Sequence, residues 1–66
     1  MEYEVAYALI SARVKANMTQ SEVAKKMNTT PSVIARLEIG KHFPSLQTIY
    51  RYALAVDKQI DLHAQP

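Results

Sequence analysis

The chain has 66 residues, a formal charge of +2 and no cysteine, which makes it one small domain with a marginal core and without disulfides or thiolate metal sites. No apolar run approaches the roughly 18 residues of a membrane span, and the first residues lack the basic stretch and apolar core of a secretory signal. The missing cysteine fits a reducing, cytoplasmic setting.

Residues 4–16, EVAYALISARVKA, are rich in good helix formers and predict a first helix. Ala6, Ile10, Arg13 and Val14 fall on one face, with Val5, Leu9 and Ala16 in a second stripe beside it. Thr19 followed by Glu22 is a capping box that opens a second helix. Val23, Ala24 and Met27 form its apolar stripe, and Ala24 leaves room where two helices cross. Asn28 stands where the next turn needs a left-handed residue, which asparagine tolerates. Thr30 caps a third helix, and Pro31 suits its first position, where no N–H is needed. Ile34 and Leu37 face inward, and Gly40 closes the helix.

GKHFP is then a loop, with Phe43 expected to pack inward as an anchor. Ser45 caps a last helix, SLQTIYRYALAV, in which Leu46, Ile49, Tyr50, Ala53 and Leu54 repeat at helical spacing. The tail changes period. From Gln59 to His63 polar and apolar residues alternate, predicting a short strand over about 59–63 with Ile60 and Leu62 on one side. No other segment reads as its partner, so such a strand needs a second chain, most simply its own copy across a two-fold axis. The alternative is a frayed tail with two incidental apolar residues. The expected fold is therefore mostly all-α: a single four-helix domain over 1–66, with a C-terminal strand used in dimerisation.

Residues 19–40, TQSEVAKKMNTTPSVIARLEIG, read as a helix-turn-helix, whose second helix can lie in the DNA major groove. Arg13, Lys15, Lys25, Lys26, Arg36, Lys41 and His42 lie in or near this motif, while Glu2 and Glu4 open the chain. A basic stripe suits phosphates, though a solvated lysine-rich face reads the same way. With Ile34 and Leu37 inward, Thr30, Pro31, Ser32, Ala35 and Arg36 are left to face base edges. Arg36 is the leading base reader, since its planar fork matches guanine O6 and N7; a phosphate contact or plain exposure is the alternative. Ser32 can read several bases, and Pro31 and Ala35 offer apolar contact only. Gln20 opens the first motif helix, where helix N–H groups and a side-chain amide can together hold a phosphate. Thr29, Lys41 and His42 flank the recognition helix as further phosphate contacts, while Lys25 and Lys26 serve DNA or solubility.

Other chemistries find little support. His42 and His63 are far apart, with no carboxylate cluster at metal spacing. Nothing resembles a nucleophile elbow or a phosphate-binding glycine loop, and so small a domain offers little cleft for a substrate. No enzyme activity, cofactor or small-molecule substrate is expected. Tyr3, Tyr7, Tyr50 and Tyr52 suit core or interface positions, and Tyr52 beside Arg51 reads as a surface pair for a protein partner or for dimerisation.

The stretch from Ile10 to Val56 resembles the Cro and phage-repressor class of helix-turn-helix domains. The likeness lies in TQSEVAKKM, in the cap-led TPSVIARLE-x-G and in PSLQTIYRYA. The last of these, with the strand-like tail and the early EYE, further resembles HigA-type antitoxins. The chain departs from the class at Asn28, where glycine is usual, and at Thr29, where an apolar residue is common. The resemblance implies a homodimeric repressor on a palindromic double-stranded operator, with half-sites about 34 Å apart. For an antitoxin it also implies a partner ribonuclease toxin and autoregulation of a shared operon. It supports a phosphate role for Gln20 and pairs Arg13 with Glu38 as a structural ion pair; the other use for Arg13 is a phosphate, and the two roles can coexist. Two alternatives stay open: a module that chiefly neutralises a toxin, and a DNA-reading fragment of a larger phage-type repressor.

Overall fold

A computed structural model describes residues 2–57, in which four helices follow one another: α1 (Glu2–Lys15), α2 (Gln20–Lys26), α3 (Pro31–Ile39) and α4 (Leu46–Val56). The expected strand over about 59–63, with Ile60 and Leu62, lies outside the described residues; among those described there is no strand.

Each helix is bounded by local chemistry. Thr19 Oγ1 accepts the Glu22 N–H at 3.0 Å, and Glu22 Oε1 accepts the Thr19 N–H at 2.8 Å, completing the capping box of α2. Thr30 Oγ1 accepts the Val33 N–H at 3.4 Å ahead of Pro31 in α3, and Ser45 Oγ accepts the Thr48 N–H at 3.1 Å in α4. The C-terminal ends of α1 and α2 share one device. Asn28 has φ 59°, with its N–H on Lys25 O and the Thr29 N–H on Ala24 O. Asn17 has φ 58°, with its N–H on Val14 O and the Met18 N–H on Arg13 O. Both are Schellman closures that satisfy otherwise orphaned carbonyls through a left-handed asparagine.

The core cluster is Leu9, Val23, Ala24, Met27, Ile34, Tyr52, Ala55 and Val56, and Val5, Ala12, Ala16, Met18 and Leu37 pack partly against it. Ala24 is buried between helices, as its small side chain requires. Gly40 ends α3 at φ 83°, and a Cβ there would lie 2.9 Å from Tyr3 Cδ1 and 3.2 Å from Ala6 Cβ. Glycine is thus demanded twice over, by the left-handed backbone and by the close approach of α1.

Three expectations about burial are corrected. On α1, Ala6 and Leu9 are buried but Val14 is exposed, since at 3.6 residues per turn it lies roughly 140° around the helix from Leu9. On α4 three of the five expected core residues face out: Leu46, Tyr50 and Leu54 are 80%, 63% and 38% exposed, Ile49 and Ala53 are half-buried, and Tyr52, Ala55 and Val56 fill the core. This helix is apolar on both faces, so its period alone does not choose between them. Two polar anchors set its rotation: the Tyr52 hydroxyl bonds Glu38, and the Arg51 guanidinium bonds the Met27 carbonyl. Phe43, expected inward, is exposed, because Gly40 turns the chain away from a core already filled by helix residues and Met27.

Candidate nucleic-acid interface

The recognition helix α3 has one buried and one open side. Ile34 is fully buried and Leu37 partly so, while Ser32 and Arg36, four residues apart, share the exposed side. Thr30 and Pro31 are exposed at its start, and Val33 and Ala35 are half-buried at the margins. The Thr30 oxygen accepts from Val33, so its hydroxyl proton remains a donor. Ile39, one turn beyond Arg36, is exposed too. The sequence reading missed it, although its position i+3 from Arg36 places it on the same side.

The flanking residues surround this surface. Lys41 and His42 are exposed just after Gly40, and Thr29 is half-buried just before the Thr30 cap. Gln20 is half-buried in the first turn of α2, and Lys25 and Lys26 are exposed in its last turn.

Behind the open face sits a four-residue junction. Glu38, on the inner side of α3, has a side chain only 5% exposed. Its Oε2 accepts Arg13 Nε at 2.8 Å and the Tyr52 hydroxyl at 2.5 Å. Its Oε1 accepts Arg13 Nη2 at 3.0 Å and Gln20 Nε2 at 2.9 Å. The third guanidinium nitrogen, Nη1, donates to Met18 O at 3.0 Å. One carboxylate thereby ties together all four helices. Among the described residues, no buried side-chain polar atom is left without a partner, which is the condition for a buried charge to be tolerated.

The protonation states follow from this geometry. Burial pushes Glu38 upward, but hydrogen bonds from Arg13, Tyr52 and Gln20, with the Arg13 charge, outweigh it and hold the carboxyl below its ordinary range. Arg13 is raised, chiefly by its hydrogen bond to Glu38 and against the effect of burial. Tyr52 is raised by burial first, then by its bond to Glu38 and the neighbouring negative charge.

Arg13 is therefore engaged with Glu38 and Met18 through all three of its guanidinium nitrogens. Tyr52 is fully buried, so its expected place in a surface pair or dimer contact is corrected: a phenol in an aliphatic core needs an acceptor, and Glu38 supplies it. Ile60 and Leu62, the other expected dimer residues, lie outside the described residues. The link from Gln20 to Glu38 was not foreseen, because it joins residues 18 apart that only the folded motif brings together.

Among the described residues no group of three His, Cys, Asp or Glu is placed to hold a metal, and no helix is long and apolar enough to cross a membrane. The helix-turn-helix family profile matches residues 9–62. Two uncharacterised HTH-type transcriptional regulators of Archaeoglobus fulgidus are each 41% identical to the chain over 49 residues. The alignments cover 74% of this chain and 69% or 70% of the relatives. No solved structure matches significantly. With the capped α2, the left-handed Asn28 turn, the open face of α3 and a family match spanning most of its length, this chain belongs to the helix-turn-helix family, in its Cro and phage-repressor form.

Proposed function

We propose that this DNA-binding transcriptional regulator acts as a homodimeric repressor. It would bind an inverted-repeat operator and exclude polymerase from an overlapping promoter. The observation that carries the reading is the two-sided α3: Ser32 and Arg36 stand outward, while Glu38 on the opposite side is clamped to three other helices. A rigidly held helix with an open first half suits base edges in a major groove. In this reading Arg36 reads guanine, Ser32, Thr30 and Pro31 complete the base-facing edge, and Gln20, Thr29, Lys41 and His42 grip phosphates. The dimer draws support from the outer side of α4, where Leu46, Tyr50 and Leu54 form an exposed apolar stripe beside a single charge, Arg51, bonded to Met27.

We further propose an antitoxin that represses its own toxin–antitoxin operon. A second reading, in which the chain chiefly neutralises the toxin ribonuclease, is favoured by the outer face of α1. Tyr3, Tyr7 and Val14 are exposed there at helical spacing, as a protein-binding face requires. Selection of duplexes from a random library, followed by salt titration on the winner, tests the main reading. Enrichment of an inverted repeat and a steep fall of affinity with salt are expected. A library that emerges unenriched, together with tight capture of a co-expressed small basic ribonuclease, would favour the second.

A further inference from the structure

Gln20 enters the Glu38 junction on terms that the rest of the network sets. A carboxylate offers only acceptors, so Glu38 Oε1 draws the nitrogen end of the Gln20 carboxamide, at 2.9 Å, and excludes its oxygen end. The carboxylate has little freedom of its own. Arg13 holds it bidentately from α1, and the Tyr52 hydroxyl holds Oε2 from α4 at 2.5 Å. Gln20 is half-buried and joins α2 to α3 through this one bond. One of its two amide protons is engaged by Glu38, and the other remains a donor whose direction the network has fixed.

We propose that Tyr52 and Glu38 are positioning residues for the Gln20 carboxamide. They hold it as a pre-oriented donor for a DNA backbone phosphate, in rigid register with the recognition helix. The inference rests on the DNA-binding reading above. Tyr52 does not meet nucleic acid; its buried hydroxyl acts two hydrogen bonds away, through Glu38 and Gln20. Such fixing removes the cost of orienting a freely rotating amide on contact.

The test uses the full chain, the tightest duplex from a random-library selection, and the variants Gln20→Ala, Tyr52→Phe and their combination, all measured well below each melting temperature. Tyr52→Phe is expected to weaken binding roughly three- to ten-fold. Gln20→Ala should do at least as much, and by a similar factor on unrelated duplex, because a backbone phosphate is common to every sequence. A neutral amide releases no counterion, so the salt slope should stay unchanged. The double variant should bind no worse than Gln20→Ala alone, because both changes disable the same contact. In the DNA-free protein, NMR should show one Gln20 side-chain amide proton shifted away from the free-glutamine position and slowed in exchange with water in the wild type, and both effects diminished in Tyr52→Phe. Additive losses, a loss for Gln20→Ala confined to the selected duplex, or an unaltered Gln20 amide in Tyr52→Phe would each overturn the positioning role while leaving DNA binding intact. A wild-type chain that binds no duplex, with the amide signature present, would instead refute the DNA-binding reading.

Discussion

The Tyr52 hydroxyl of α4 donates to Glu38 Oε2 of α3 across 2.5 Å, and both side chains are closed to solvent. That bond gives the last helix its rotation and completes the shell of donors around the one buried carboxylate among the described residues. The back of the recognition helix is thus held by polar geometry as well as by the burial of Ile34.

Removing the carboxylate leaves Arg13 as a part-buried cation whose remaining hydrogen bond is to the Met18 carbonyl. Breaking a buried pair from one side costs about 3–5 kcal/mol, whereas truncating an exposed lysine usually changes stability by less than about 0.5 kcal/mol. Glu38→Ala should therefore melt far below the wild type and Lys25→Ala close to it, by circular dichroism. Equal melting temperatures for the two would refute the structural weight given to this junction.

The same junction predicts how stability varies with pH. Glu38 titrates below its ordinary 4.5 in the folded chain, so its contribution is complete above that value and is lost as pH falls toward the folded pKa. Tyr52 titrates above its ordinary 10, so its contribution is complete below pH 10 and is lost as pH rises beyond it. The melting temperature should plateau between about pH 5 and pH 10 and fall on either side. In Tyr52→Phe the alkaline decline should become shallower; an alkaline limb identical to the wild type's would contradict the assignment.

The closure of α2 gives a third prediction. Asn28 holds φ 59°, where a residue with an ordinary Cβ is disfavoured by roughly 1–2 kcal/mol and asparagine by less. Asn28→Ala should lower stability by about 1 kcal/mol, while Asn28→Gly, which relieves the steric clash, should match or exceed the wild type in urea unfolding. A more stable alanine variant would be incompatible with the left-handed turn.

These elements differ in how far they can be read from the chain. Caps and stops are local: Thr19 and Glu22, or Thr30 and Pro31, satisfy backbone groups within one turn, so their spacing suffices. The Asn28 turn is legible for the same reason, although Asn17, which makes an equivalent closure, passed unnoticed inside KANMT. Burial on α4 was not legible. Leu46, Tyr50 and Leu54 compete with Tyr52, Ala55 and Val56 for the core on equal hydrophobic terms, and a buried acceptor 14 residues upstream tips the choice. The exposed half of α3 was readable once Ile34 and Leu37 were taken as inward, but the tie between Gln20 and Glu38 depends on how α2 crosses α3, which no local pattern encodes.

The open face of α3 separates two kinds of contact that mutation can distinguish. Arg36 stands on the exposed side one turn after Ser32, whereas Lys41 lies beyond Gly40, past the end of the helix. A bidentate arginine–guanine contact contributes roughly 1–3 kcal/mol of discrimination against the wrong base. A lysine–phosphate contact strengthens all sequences alike and adds to the salt dependence. Arg36→Ala should thus weaken binding to the selected operator about five- to 150-fold and change binding to unrelated duplex much less. Lys41→Ala should weaken both by a similar factor and flatten the salt slope by about one. Because neither side chain joins the Glu38 junction, both variants should melt near the wild type, so a change in affinity reports on the interface itself. If Arg36→Ala lost operator and unrelated duplex equally, Arg36 would be a phosphate contact and base reading would pass to Ser32, Thr30 and Pro31.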